Sequence, residues 1–380
     1  LALEGRGKYA TAAESFGKAL EIEPGRVDAC YQKGLALAGL ANPEEAIPAF
    51  QEAIRLDPQH ALAWYSLGLA QEQVKKFQKA MDSFARALQI QPKNLPAWYH
   101  RGLCEEEEGL FSDAVFSFEK ALEIEPKDVD SWFHKGTCLA RAGRHQEAVS
   151  AFGNALLYDP ESPRAWFHQG LSLLETGENE AAVASFDRAL GLDGGNPLAW
   201  YEKGLALEGL GRREEALEAL SRSLDLDPER KEAWRHRGAL LFAGKSLEPA
   251  LGAFDEVIRI DPKDAGAWYN RGCILSELGD TGGAVGSFDR ALAIDPASAR
   301  AWNNKGAILF QLEENAGAVE AFDHSLEIDP GNAGAWFNRG LALRELGDED
   351  GAVQALERYL LIEPKDAGAW YEKGLSLERD

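Results

Sequence analysis

DAGAWYNRGCILSELGD, residues 264–280, decides how this chain is read. Residues 332–348 read NAGAWFNRGLALRELGD, and residues 366–380 read DAGAWYEKGLSLERD. The segment returns on a fixed grid, which is the signature of a repeat architecture. Tryptophan stands at Trp64, Trp98, Trp132, Trp166, Trp200, Trp234, Trp268, Trp302, Trp336 and Trp370, every step being 34 residues. All ten tryptophans of the chain lie on the grid, and Cys30 takes the slot before them. Glycine follows four residues later from Gly34 to Gly374 without a miss. An alanine column runs from Ala12 to Ala352, and a phenylalanine column starts at Phe16, with Leu220 and Leu356 as substitutes. Proline closes each unit from Pro24 to Pro364, with Gly194 as the single exception.

Each unit reads as two helices. Asp264 is an N-cap, and its column is Asn, Asp or Ser in eight of eleven cases. Trp268, Ile274, Leu275 and Leu278 then form an apolar stripe at helical spacing. Gly279 ends the first helix, and seven of eleven residues in its column are Gly, which suits a left-handed C′ position. Ala284, Val285, Phe288, Ala291 and Leu292 make the stripe of a second helix. Pro296 stops it, because proline cannot continue a helix. Small Gly272 and Ala284 sit where a larger residue would hold two helices apart. Neither helix can bury its stripe alone, so neighbouring units must supply the missing wall.

The whole-chain properties agree. A length of 380 residues exceeds what one compact core usually supports, but a stack built unit by unit needs no single core. The net charge of −23 argues against nucleic acid or an anionic membrane as partner and favours a basic one. Cys30, Cys104, Cys138 and Cys273 form no CxxC pair and no ligand cluster with histidine. With neither signal peptide nor membrane-length apolar run, a cytoplasmic location is expected. The chain opens inside a motif, LALEGRGKYA, as expected of a piece of a longer protein.

The Trp, Gly, Ala, Phe and Pro columns resemble those of the tetratricopeptide repeat (TPR) family, over the whole chain. The resemblance implies an all-α fold: a right-handed α-solenoid superhelix of antiparallel helix pairs, first helices lining the concave side. The expected units are 27–60, 61–94, 95–128, 129–162, 163–196, 197–230, 231–264, 265–298, 299–332 and 333–366. A partial unit, 1–26, precedes them, and 367–380 is a terminal capping or truncated helix. The family binds peptide segments in the concave groove, so the resemblance implies a protein-interaction scaffold with no enzymatic activity and no cofactor. The alternative is a substrate-recruiting arm of a larger enzyme, for example a glycosyltransferase, whose catalytic domain lies outside these residues. End-to-end stacking of copies is a third prospect.

By resemblance, certain columns face the groove. One is aromatic in nine units and includes Tyr65, Tyr99, Phe133, Phe167, Tyr201, Tyr269 and Phe337. It reads either as a contact stripe or as packing between units. The next column holds His100, His134, His168 and His236, then Asn270, Asn304 and Asn338. An amide both donates and accepts, so a ladder of them can hold a peptide backbone. A metal site from the histidines is disfavoured, because packed helices lie roughly 8–10 Å apart whereas zinc needs each nitrogen at about 2 Å. The Cys273 column has no Asn, and the Asn270 column has no Lys or Arg, so the carboxylate clamp for chaperone tails is not expected. CEEEEG, residues 104–109, gives an acidic patch of Glu105, Glu106 and Glu107 with Glu72 one unit earlier. Acids at a helix C-terminus oppose its dipole, which suggests docking of a basic segment. The column after Asn270 is Lys or Arg in nine of eleven units, read as long stems over apolar surface with heads paired to helix-end acids. FAGKS, 242–246, lacks the first glycine of a phosphate loop. The glycines of GLDGGNP, 191–197, are expected to loosen one joint, and Pro48 to kink its helix.

Overall fold

A computed structural model describes residues 2–379. Residues 1 and 380, the outermost of the two expected partial units, lie outside it. The chain divides into two compact units, residues 1–210 and 211–380. The first holds α1 (Ala2–Ile22), α2 (Val27–Gly39), α3 (Pro43–Leu56), α4 (Ala61–Gln73), α5 (Phe77–Ile90), α6 (Leu95–Glu107), α7 (Phe111–Ile124), α8 (Val129–Arg141), α9 (His145–Tyr158), α10 (Pro163–Glu175), α11 (Asn179–Leu192) and α12 (Pro197–Gly209). The second holds α13 (Arg213–Leu226), α14 (Lys231–Ala243), α15 (Leu247–Ile260), α16 (Ala265–Leu278), α17 (Thr281–Ile294), α18 (Ala299–Gln311), α19 (Asn315–Ile328), α20 (Ala333–Glu345), α21 (Glu349–Ile362) and α22 (Ala367–Arg379). No strand occurs among the described residues.

Within each unit every helix packs on the helices before and after it, and successive even-numbered helices from α2 to α12 and from α16 to α22 also touch. Over those runs the even-numbered first helices form a continuous face, which makes each unit a stretch of α-solenoid. The local chemistry explains the spacing. Asn94, Asp128, Ser162, Asn196, Asp264, Ser298, Asn332 and Asp366 each cap a first helix by accepting a backbone N–H. At the other end Gly279 takes φ 84°, the left-handed value expected of it. Ala41, Lys75, Lys245 and Glu313 take positive φ in the same column, so the turn is imposed by packing even where glycine is missing.

The core is periodic. Phe50, Phe84, Phe118, Phe152 and Phe186 in the first unit and Phe254, Phe288 and Phe322 in the second are completely or almost completely buried. Each lies against the grid glycine of its partner helix. A Cβ on Gly136 would stand 2.7 Å from the Phe152 ring, so that position admits no side chain while the ring is in place.

The tryptophans punctuate the turns. Each indole N–H donates to the carbonyl six residues earlier, as in Trp132 to Pro126 at 2.9 Å. Trp200 donates to Gly194 at 3.1 Å in the same way, and neither Gly194 nor Gly195 takes positive φ. The double glycine therefore builds the ordinary turn, because the hydrogen bond uses only a backbone oxygen. Helix α3 likewise runs on through Pro48, which costs the one hydrogen bond its missing N–H would have made.

Candidate functional site: the first-helix face

The basic column is built into the frame. Lys135, Lys203, Arg271, Lys305, Arg339 and Lys373 lie 5.2–5.9 Å from the centroids of the grid tryptophans three residues earlier. Each also pairs with an acid sixteen residues back: Glu119, Asp187, Asp255, Asp289, Asp323 and Glu357, at 2.5–2.9 Å. These acids stand in mid-helix rather than at helix ends, correcting the sequence expectation. The cations tie each first helix to the preceding second helix, so the column offers no open basic stripe.

The aromatic column packs between helices. Tyr65 meets Phe84 at 5.9 Å between centroids, Tyr99 meets Phe118 at 5.9 Å, and Tyr269 meets Phe288 at 6.0 Å. Phe133 and Phe167 are buried, against Phe152 and Phe186. Phe337 contacts Tyr359, and Tyr201 on α12 is half-buried. The rings are thus wall as much as surface.

The histidine and acid columns, read separately in the sequence, come together. His100 Nδ1 lies 2.9 Å from Glu72 Oε2, and His134 Nδ1 lies 2.9 Å from Glu106 Oε2. Both rings stack on core phenylalanines, His100 on Phe84 and His134 on Phe118. His168 stacks on Phe152 with Arg164 and Arg141 nearby. Burial first, and then those cations, hold its pKa below the usual histidine range. His236 is half-buried on α14. Among the described residues no group of three or more His, Cys, Asp or Glu could hold a metal. The second unit repeats the geometry with the signs exchanged: Arg344 pairs with Glu372 across the same 28-residue interval.

The asparagines engage the protein itself. Asn304 Nδ2 donates to the Tyr269 hydroxyl at 3.2 Å, and Asn270 Nδ2 donates to the Gly266 carbonyl at 2.9 Å. Asn338 is half-buried on α20. Lys245 of FAGKS pairs with Glu277 at 2.7 Å, at the C-terminal end of α14, where the helix dipole repels phosphate.

The acidic patch needs a correction. Glu105 is 2% exposed and points into the core, taking the place that leucine fills in most units. Its carboxylate accepts from Ser117 Oγ at 2.6 Å and from Arg101 Nε at 2.8 Å. Gln71 and Ser83 make the neutral version of the pair one repeat earlier, at 2.7 Å. Burial pushes the Glu105 carboxyl above the ordinary carboxylate range despite both partners. Its ionised form therefore subtracts stability at neutral pH, and the cost fades as pH falls through the raised pKa. Glu105→Gln should stabilise the first unit by about 1 kcal/mol at pH 7. The gain should vanish below about pH 4, under the ordinary glutamate pKa. Urea unfolding at both pH values checks this.

A cleft of about 590 Å³ lies between α4 and α6. Leu69, Leu103 and Phe77 give it apolar walls, and Glu72, Glu107, Gln73, His100 and Lys75 give it polar ones, two acids against one lysine. Glu107 is exposed, whereas Glu72 is half-buried and oriented by His100.

The fold and its first-helix face define a helical-repeat scaffold. Tetratricopeptide repeat family models match residues 31–94, 136–197, 201–265 and 269–333, with others at 95–128, 117–150 and 321–354. The chain belongs to the tetratricopeptide repeat family, and it is a protein-interaction scaffold in that family's general sense. Among solved structures, the C-terminal part of a TPR repeat-containing protein from Cytophaga hutchinsonii superposes with TM-score 0.56. It is 16% identical, over 63% of this chain and 98% of that one. YrrB, a TPR protein with an unusual peptide-binding site, is 24% identical over 49% of this chain and 96% of its own, with TM-score 0.46. A chain of Naa15/Naa10 bound to HypK-THB is 17% identical over 99% of this chain and 64% of its own, with TM-score 0.46. At such identities the likeness concerns the fold alone. No curated protein matches the chain significantly. Among the described residues, no helix is long and apolar enough to cross a membrane.

Proposed function

We propose that the chain, as tandem repeats spanning residues 27–366, holds peptide segments of partner proteins along its first-helix face. The cleft between α4 and α6 anchors a lysine or arginine of that segment. The observation that carries this reading is the pairing of an exposed carboxylate, Glu107, with a half-buried one, Glu72, over the apolar walls of Leu69, Leu103 and Phe77. An aliphatic stem fits such walls while its charged head meets the acids. The overall charge of −23 draws basic segments toward the protein. The face would serve equally in a free scaffold and in the recruiting arm of a larger enzyme.

Fluorescence anisotropy with two labelled peptides tests the reading, one bearing a central Arg-Leu pair and one with that Arg replaced by Gln. The arginine peptide should bind more tightly, and added salt should weaken it. Glu107→Gln should cost it about tenfold in affinity, or about 1.4 kcal/mol. Equal binding of both peptides, untouched by Glu107→Gln, would contradict the proposal.

A further inference from the structure

His100, His134 and His168 stand in one column of three successive first helices, and the first two have acid partners that the third lacks. The residue 28 positions earlier is Glu72 for His100, Glu106 for His134 and Ala140 for His168. Each glutamate lies 2.9 Å from Nδ1 of its ring. His168 is packed in the same way as His134. It meets Phe133 edge-on at 5.4 Å and stacks on Phe152 at 5.9 Å, as His134 does with Tyr99 at 5.8 Å and Phe118 at 5.7 Å. Among the described residues, however, the His168 imidazole makes no hydrogen bond. Ala140 is partly exposed and too short to fill the place of the carboxylate.

The charges beside this place are cationic. Arg141 lies 5.8 Å from the Phe111 ring and Arg164 lies 4.7 Å from the Phe133 ring, and among the described residues neither pairs with an acid. Burial, then Arg164 and Arg141, lower the His168 pKa, and Glu106, bound to His134, offsets them only in part. Asp193 shares a small hollow with Arg164 and His168, but it accepts from the Gly195 N–H at 3.1 Å. The chain has 63 acidic and 40 basic residues, so a shortage of acids does not explain two arginines without one.

We propose that this place between α8 and α10 takes an aspartate or glutamate side chain of the bound peptide. Its carboxylate accepts from His168, as Glu72 and Glu106 do from His100 and His134, while Arg141 and Arg164 balance its charge. The inference rests on the reading of the first-helix face as a peptide surface, and it adds a register to that reading. The basic residue of the peptide lies between α4 and α6, and an acidic one lies two repeats further on. At roughly 8–10 Å per helix step, the two points are about 16–20 Å apart, or about five or six residues of extended chain.

Labelled peptides with one arginine, and a glutamate six residues away on its N-terminal or its C-terminal side, test this beside controls with glutamine there. One glutamate peptide should bind about fivefold more tightly than its control. Arg164→Gln should reduce that preference. Ala140→Glu supplies the missing acid, as the column already does at Glu72 and Glu106, and should abolish the preference while the arginine anchor is kept. The imidazole is followed by nuclear magnetic resonance in the same chain. A carboxylate beside it favours the charged ring, so the pH at which His168 titrates should rise by about half a unit in the glutamate complex. It should rise likewise in Ala140→Glu, and in acetate replacing chloride at constant ionic strength, but not with the glutamine peptide. Equal binding of glutamate and glutamine peptides, with His168 titrating at one pH in both complexes, would overturn the inference. If Glu107→Gln still weakened both peptides, the anchor between α4 and α6 would stand without it. If no peptide bound, the reading of the face would fail, and a His168 unmoved by acetate would overturn the carboxylate site as well.

Discussion

Phe152→Ala is expected to destabilise the first unit by about 3–5 kcal/mol, the usual cost of emptying a fully buried phenylalanine site. The ring is fully buried and touches the helices on both sides of its own. It lies over Gly136 of α8, meets Phe133 at 5.8 Å, and carries His168 of α10 on its face at 5.9 Å. A local loss therefore opens both the α8–α9 pair and the joint to α10. Unfolding in urea, followed by far-ultraviolet circular dichroism, should show the transition moving to lower denaturant. Because stability in a repeat array is a sum of unit and neighbour terms, an early phase assigned to the first unit should appear. A shift below 1 kcal/mol would mean that the ring is not the support it is taken to be.

Gly136→Leu should cost about as much as a severe overpacking change, roughly 3 kcal/mol. Leucine is the better helix former by about 0.8 kcal/mol, so propensity alone predicts a gain. The clash decides the sign, since the first added carbon would stand 2.7 Å from the Phe152 ring. The ring cannot retreat, being enclosed on all sides. The effect should depend on that ring. In a Phe152→Ala background the leucine should fill the vacated space, and the two changes together should cost at least 1 kcal/mol less than their sum. Strict additivity, measured by the same urea transitions, would contradict the packing described for this pair.

The fold was legible in the sequence because its determinants repeat. Gly136 and Phe152 stand sixteen residues apart, and that interval recurs in almost every unit, so one packing contact is written many times over. The caps and turns were legible for the same reason. The site was less legible, because its polar contacts cross from one repeat to the next at intervals that differ from the period. Glu72 meets His100 and Glu106 meets His134 over 28 residues. The columns, read one at a time, presented an acidic patch and a histidine row instead of two sets of hydrogen-bonding partners. The exchanged signs of Arg344 and Glu372 at the same interval were the signal that could have revealed the pairing. Glu105 was misread for a different reason. Its column is one of buried leucines, but a charge in a run of four acids suggests a surface, and only Ser117 and Arg101 explain how it is accommodated. The acids that receive the basic column were missed because they lie on the preceding second helix. Sequence spacing relates them to the cations only once the helices are stacked.

Hydrogen exchange, residue by residue, tests most directly whether neighbouring pairs complete one another's walls. The amides of interior helices such as α8 and α16, covered on both sides, should exchange slowest within their units. In the 380-residue chain, protection should fall toward α1 and α22, each packed against the other helices on one side only. Amides of α22 exchanging as slowly as those of α16 would contradict the account, because a first helix would then be stable without the second helix it is held to need.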